Sequence, residues 1–523
     1  MRPPGWTARC YFYRTNYFSF SPPSFLCVAM PASDSNSEPI AHPETGVSAG
    51  WLLALGLAVL PFLLLAYYNY PSIHDDYLNA HYIAQHGRLG YVRHMYNAWS
   101  GRYTELVLKA FLNPLSYQQT AWLSRLQPVV VIGLVMLGAY TLFRVLLRGA
   151  AASVVAAGAL LLTVLYLNGF GTVGASFYWF GGYTAYTAGA VASLFAFAGL
   201  VGTVDDRGPA GVRRRWGAVA AGFSLLAIGT YEVSMLAIGG VVGSLTVWAW
   251  LRNQSAKSRL VAVGLLVLLG CCVAVAAPGN RVRAITPGHF PHHVLTASWA
   301  AQSGWLSLRL AFKQCLSWAV SPLLLLGSLL LAGLLWRARA ALPLDLARLP
   351  LVGLAAGLLG GVTVLIFPSV LLLGAVQGQS LQGIYFYFLL GWLSWMAVAF
   401  ARFAPKIRLL SELSQPAAWH HVALIFWMLC LYSETSNTHL AYVELFTTAG
   451  PHYRRVRQRE QRLRAAAVRH AASIEIIPLY SASEADLMPK ILYPIDFNAS
   501  DAAQYARYYG LDSTRVRVPV GTQ

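Results

Sequence analysis

The sequence predicts an all-α protein, a polytopic bundle of about eleven transmembrane helices with amphipathic helices outside the membrane and a small external α/β tail at the C-terminus. Three observations predict it. Of the 523 residues, 57% are hydrophobic and 11% are charged, against roughly 25% charged in an ordinary soluble domain. Apolar runs close to the ~20 residues that a bilayer-crossing helix needs recur along the chain. The Lys and Arg residues fall in short clusters between those runs, the pattern that encodes membrane topology. The same distribution argues against a nucleic-acid partner, in spite of a net charge of +18.

In chain order the spans are expected near 50–68, 126–147, 151–168, 183–203, 217–231, 233–251, 260–277, 315–336, 350–368, 383–401 and 419–435. Arg144 and Arg148, then Arg207 and Arg213–Arg215, then Arg252, Lys257 and Arg259, then Arg337, Arg339 and Arg348, then Arg402, Lys406 and Arg408 follow alternate spans. They share one face, which the positive-inside rule makes cytoplasmic. About 36 residues separate Arg215 from Arg252, the wrong parity for a single span. Two short spans joined at Thr230-Tyr231-Glu232 resolve this and bring Glu232 to the outer face.

The domain boundaries follow. Residues 1–49 are a disordered N-terminal segment, 50–435 the transmembrane domain, and 436–523 a small external region. Residues 1–29 contain no Asp or Glu and do not read as a signal peptide. They are either a disordered extension or sequence upstream of a translation start at Met30. In the tail, 452–472 reads as an Arg-rich helix, SIEIIPL as a short strand and ASDAAQYARYYGLD as a short helix ending at Gly510. The Arg run favours the cytoplasm by charge, whereas span parity sends the tail outside. The six Cys include no CxxC, which argues against a disulfide framework or a zinc site.

The chain has 20 acidic residues. Asp205, Asp206, Asp345 and Glu412 alternate with basic residues in cytoplasmic loops and solvate them. Asp75, Asp76, Glu105, Glu232 and Glu434 remain on the outer side, where a carboxylate near the bilayer is costly unless paired or wetted. Asp75-Asp76, in YPSIHDDYLNAHY just after the first span, sit where a general base or metal ligand meets a lipid-borne substrate. Equally, Ser72 or Asp75 serves as the cap of the following helix. Adjacent carboxylates repel, which raises one pKa or recruits a cation. In NAWSGRYTELVLKAF, Arg102 and Lys109 are candidates to hold a lipid phosphate. In APGNRVRAITPGHFPHH, Pro278-Gly279-Asn280 signals a turn that stops the helix. Arg281 and Arg283 then lie near the membrane surface, placed for a phosphate. His289, His292 and His293 follow without the i, i+4 spacing and carboxylate partner of a metal site. Trp179, in SFYWFGGYTAYT, belongs to an aromatic turn that either stacks on a sugar face or forms part of an interfacial belt. Asn498-Ala499-Ser500 is a formal glycosylation triplet.

These residues resemble the GT-C class of integral-membrane glycosyltransferases: an acidic pair outside the first span, an amphipathic external segment, and about eleven spans. The series HDDY, AWSGRY, SFYWFGG, TYE, APGNRVR, GIYFYFLLGW and YARYYGL, across roughly residues 50 to 515, more closely resembles a bacterial family of polytopic proteins of largely unassigned function, related to the O-antigen glucosyltransferases. The resemblance implies a polyprenyl-phosphate-linked sugar as donor and an envelope glycan, lipid or protein as acceptor. It implies work at the external face of the bacterial inner membrane, with Asp75 or Asp76 as the catalytic Asp. Arg102, Glu232, Asn280, Arg281, Arg283 and Trp179 are the expected substrate contacts. No cofactor is required by the residues; metal use varies across the class, and a divalent Mg or Mn is compatible with it. The tail is shorter than the large external domain of some class members. A transporter or flippase of lipid-linked glycans, a polysaccharide polymerase or ligase, and a non-catalytic scaffold are the competing readings.

Overall fold

The computed structural model describes residues 46–71, 74–117, 119–169, 173–206, 208–286, 296–342, 348–376, 378–403 and 418–469, with pieces of the tail at 474–475, 479–480, 488–492, 505–511 and 516–517. The N-terminal extension, Ser72, Arg207, His289, His292, His293, Asp345, Lys406, Arg408, Glu412 and the Asn498 triplet lie outside these residues.

The described chain is helical. The helices are α1 (Ala49–Leu65, continued by a 3₁₀ turn Ala66–Tyr68), α2 (His74–Ala98), α3 (Tyr103–Leu112), α4 (Thr120–Leu146), α5 (Ala152–Asn168), α6 (Val173–Phe177), α7 (Phe180–Val204), α8 (Ala210–Ile228), α9 (Glu232–Leu251) and α10 (Lys257–Val275). There follow α11 (Pro278–Ile285), α12 (Ala297–Ala319), α13 (Pro322–Arg337), α14 (Leu351–Leu373), α15 (Gly378–Phe403), α16 (Ala418–Leu431), α17 (Asn437–Phe446) and α18 (Ala449–Val468). In the tail a two-residue parallel pairing joins Ile474–Glu475 to Val516–Arg517. That is the extent of strand among the described residues, less than the α/β tail read from sequence.

Among the described residues, seven helices are long and apolar enough to cross a membrane: α1, α4, α7, α9, α10, α14 and α15. The pair α12–α13, bent by 64°, makes an eighth if it counts as one span. The other expected spans are present as helices but fall short in length or in apolar character. α5 has 17 residues, most of them buried, because α1, α4 and α13 pack around it; a helix enclosed by protein has little lipid contact to satisfy. α8 begins with Arg213–Arg215, and α16 is apolar for only a short stretch.

Two cores result. In the smaller, Ala192, Ala196 and Leu200 of α7 meet α8, α9 and α10. In the larger, Leu194 and Ala198 on the other face of α7 join α1, α4, α5, α13 and α15. The outward faces of α4, α10, α12 and α16 carry exposed residues such as Leu137, Leu265, Phe312 and Phe426, an apolar belt that suits lipid.

The bundle has two distinct ends. At one, Arg148 pairs with Asp205 at 3.3 Å, Arg213 with Asp206, Ser255 donates to Asp206 at 2.6 Å, and Arg337 donates to the Gly46 carbonyl at 2.6 Å. This is the end at which the basic clusters were expected to gather. The opposite end carries the start of α2, the α8–α9 hairpin and α11. The tail lies there too. Tyr77 stacks on Tyr505 with ring centroids 4.2 Å apart, and Glu444 of α17 accepts the backbone N–H groups of Lys490, Ile491 and Leu492 at 2.7–2.8 Å. Aromatic packing and satisfied backbone donors hold the Arg-rich α18 at this end, away from the other basic clusters.

Candidate functional site

The site is built where α2, α3 and the α8–α9 hairpin meet. Asp75 and Asp76 occupy the first turn of α2, where carboxylates suit the positive end of the helix dipole. Asp76 is 1% exposed. Its Oδ1 accepts the Gly181 backbone N–H at 3.1 Å, one of the N–H groups that the first turn of α7 leaves without a helical partner. The Trp179 side chain is a further hydrogen-bond partner. Asn113 locks the backbone from behind, donating to the Asp76 carbonyl at 2.9 Å. Burial, and then the charge of Asp75, push the Asp76 carboxyl up to about 7, against the opposing pull of Lys109, Gly181 and Trp179. Of the pair, Asp76 is thus the acid tuned near neutrality; Asp75 is half-buried beside it.

At Gly87 φ is 70° and ψ is 169°. This left-handed conformation suits glycine, and it breaks α2 so that its second half returns along the first. Tyr91 then donates to Asn79 Oδ1 at 2.8 Å. The chain next passes through Gly101, where a Cβ would meet the Ala274 carbonyl oxygen at 1.9 Å. That contact seats the loop before α3 against the end of α10. Asn280 fastens the same joint, accepting from Gly101 N at 3.0 Å and donating to the Ala274 carbonyl at 2.8 Å.

Arg102 follows at the N-terminus of α3. Its Nε and Nη2 donate to the two Glu232 carboxylate oxygens at 3.0 and 2.7 Å, and Nη1 donates to Glu105 at 3.4 Å. Its guanidinium lies 4.8 Å from the Tyr231 ring centroid. Lys109 meets the other Glu105 oxygen at 2.6 Å. Burial lowers the Arg102 pKa, but Glu232 and Glu105 more than offset that and raise it. Arg283 lies 5.5 Å from the Trp99 ring centroid; burial and then Arg102 lower it, while Glu232 and Glu105 act the other way. A ladder of alternating charge therefore runs from Asp76 through Lys109, Glu105 and Arg102 to Glu232, with Arg283 as a second cation beside Arg102. The Arg102 side chain keeps 18% and that of Glu232 43% of its surface, so a ligand reaches the ladder at that end. The start of α15 frames it, with Ser380 and Gln379 accepting the Tyr231 and Tyr186 hydroxyls at 2.6 and 3.2 Å.

A cavity of about 920 Å³ opens between α3, α4, α7 and α8, lined by apolar side chains including Leu108, Val130, Leu134 and Phe223. Thr104, next to Glu105, lines it, as does Tyr183, which lies within electrostatic reach of Asp76. Among the described residues, the Thr104 hydroxyl has no hydrogen-bond partner.

Of the residues singled out in the sequence, Asp76 and Trp179 come together, as do Arg102, Glu232 and Arg283. Asn280 is a structural fastener, and Arg281 is exposed on α11. Sequence reasoning kept Glu105 among the outer carboxylates without giving it a role and offered Lys109 as a candidate for a lipid phosphate, whereas together they link the two halves of the site. The signal was available: Arg102, Glu105 and Lys109 fall at helical i, i+3 and i+7, one face of α3. Among the described residues, no three His, Cys, Asp or Glu gather to hold a metal, and Cys271, Cys272, Cys315 and Cys430 are free thiols. Compared with known proteins, the chain matches no family model, no curated protein and no solved structure.

Proposed function

We propose that the chain is a GT-C-type membrane glycosyltransferase, moving a sugar from a polyprenyl-phosphate carrier to a glycan, lipid or protein acceptor of the cell envelope, at the external face of the bacterial inner membrane. One observation carries this reading. An apolar cavity of about 920 Å³ between hydrophobic helices has in its wall Thr104, next in sequence to Glu105 of the charge ladder, and Tyr183, within electrostatic reach of the Asp76 carboxyl that is poised near neutral pH. Such a cavity suits the prenyl chain, and Arg102 and Arg283 suit its phosphate. In this reading eleven helices cross the membrane, with the shorter α5, α8 and α16 and the bent α12–α13 pair counted among them. The basic end faces the cytoplasm. The tail, packed on α2, lies outside with Asp76.

The chemistry follows from the side chains. Asp76 takes the proton of an acceptor hydroxyl, and the freed oxygen forms a bond to the anomeric carbon. The bond from that carbon to the lipid-phosphate oxygen breaks, and its electron pair leaves with the phosphate. Arg283 and Arg102 meet the charge that develops there. Trp179 and Gly181 hold the carboxylate in place. The test is a reconstituted assay with a panel of polyprenyl-phosphate sugars. Wild type is expected to consume one of them, with Asp76→Asn inactive at normal expression. Full activity in Asp75→Asn, in Asp76→Asn and in the double variant rules the site out. Translocation of a lipid-linked glycan across vesicles without bond cleavage identifies a flippase instead.

A further inference from the structure

A second cavity, of about 800 Å³, lies between α2 and the tail. Its lining includes Arg88, Arg464, Ser116, Tyr117, Tyr508 and Tyr509. It contrasts with the apolar cavity in every respect that bears on ligand type. Two guanidinium groups face it from different elements, and among the described residues no acid lines it. Arg464 is anchored from behind by Glu460, at 2.5 Å, and faces the Tyr509 hydroxyl. Arg88 is exposed and, among the described residues, makes no ion pair; its guanidinium lies 4.9 Å from the Tyr117 ring centroid and 5.8 Å from that of Phe111. The aromatic rings fix its direction without neutralising it. The Ser116 hydroxyl is buried and has no hydrogen-bond partner among the described residues. The Tyr508 hydroxyl donates to the Leu115 carbonyl at 2.9 Å, which holds the tail against this wall.

The position of the cavity ties it to the first site. Ala80 lines it, one helical turn and about 6 Å along α2 from Asp76. Tyr117 lines both cavities.

We propose that this cavity binds an anionic saccharide. Arg88 and Arg464 take its carboxylate or phosphate, Tyr117, Tyr508 and Tyr509 stack on its sugar ring, and Ser116 bonds a ring hydroxyl. Calling that saccharide the acceptor rests on the sugar-transfer reading; the binding site itself does not. Tyrosine faces with forked cations recognise a sugar that carries charge, and the short tail then has a specific task, closing one wall of the site.

The experiment is titration of the full chain in phosphatidylcholine nanodiscs with glucuronate, glucose 6-phosphate, glucose and inorganic phosphate, read by saturation-transfer NMR. At least one of the two anionic sugars is expected to bind well above glucose and inorganic phosphate. Arg88→Ala is expected to weaken that binding about tenfold or more, since a hydrogen bond to a charged group is lost. Ser116→Ala is expected to weaken it about threefold, and Arg148→Ala, at the opposite end of the bundle, to leave it unchanged. Failure of both anionic sugars to bind, or equal binding of glucose, overturns the proposal. So does loss of sugar binding in phosphatidylglycerol nanodiscs with Arg88-dependent lipid retention, which makes the cavity a headgroup site. Arg88-dependent sugar binding with no transfer from any polyprenyl-phosphate sugar leaves this inference standing and removes the transfer reading. Transfer that is abolished by Asp76→Asn but indifferent to Arg88→Ala, with no sugar bound, does the reverse.

Discussion

Both ends of the bundle pair arginines with carboxylates, and they differ in how deeply the most sheltered acids lie. At the basic end, the Arg148 side chain is 50% exposed against Asp205, and Asp206 is 55% exposed against Arg213. Pairs of that kind are screened by water and contribute little to stability. At the other end, the Glu105 side chain is 6% exposed between Arg102 and Lys109, and Asp76 is buried outright. The same residue types make exposed pairs at one end and build a tuned charge ladder at the other. Burial by α3, α7 and α9 makes the difference.

The sharpest way to test that contrast is Asp76→Asn. Removing a general base typically costs about 10²–10⁴-fold in rate, and that loss is the expected result in the transfer assay. The fold is expected to gain stability. The Asp76 carboxyl is raised to about 7 in the folded chain, above its ordinary value of about 3.9, so the folded state holds a proton that the unfolded chain releases first. Stability therefore falls as pH rises from about 4 to about 7. Asn keeps an oxygen to accept the Gly181 N–H and carries no charge to bury. Thermal unfolding in detergent at pH 8 is expected to show a higher Tm for Asp76→Asn than for wild type, with the gap closing toward pH 4. An inactive variant with a lower Tm at pH 8 makes Asp76 a structural acid.

Next in size is Glu105→Gln. It leaves Arg102 and Lys109 without their shared counter-charge, and breaking a buried pair from one side costs on the order of 3 kcal/mol. Chemical denaturation of the purified protein measures it. Rescue by Glu105→Asp is not expected, because the shorter side chain cannot bridge both cations.

Much of this was legible in the sequence for reasons that residue chemistry makes plain. Charge scarcity announced the membrane class, and the spacing of basic clusters announced which loops share an end. The parity argument between Arg215 and Arg252 required the hairpin at Glu232, and Glu232 does meet Arg102 at the end where α2 begins. What stayed hidden depends on long-range approach. Nothing in the tail signals that Tyr505 stacks on Tyr77 across more than 400 residues of chain; the charge of α18 favoured the opposite end, and only span parity sent the tail to this one. Nor does hydropathy distinguish α5, enclosed by neighbours, from a lipid-facing span. Asn280 looked like a turn signal and a ligand contact; its side chain instead staples Gly101 to α10.

A subtler test uses pH. Lys109 pulls the Asp76 pKa down, so Lys109→Met is expected to move the acid limb of the rate profile from near pH 7 to higher pH. Activity lost at neutral pH is then recovered under alkaline conditions. A purely structural role for Lys109 predicts a loss that is uniform across pH.

The smallest expected effect closes the comparison from the other end. Arg148→Ala removes one partner of an exposed pair, so its stability is expected to stay within about 0.5 kcal/mol of wild type, with transfer unchanged. Its counterpart, Arg102→Ala, takes the fork from Glu232 and a cation from the ladder, and is expected to lose both stability and activity. Denaturation midpoints and transfer rates for the two variants, measured side by side, compare a forked guanidinium shared by two carboxylates with a single exposed contact. Equal losses in the two mean that surroundings do not separate the ends, and the ladder is then one more surface network.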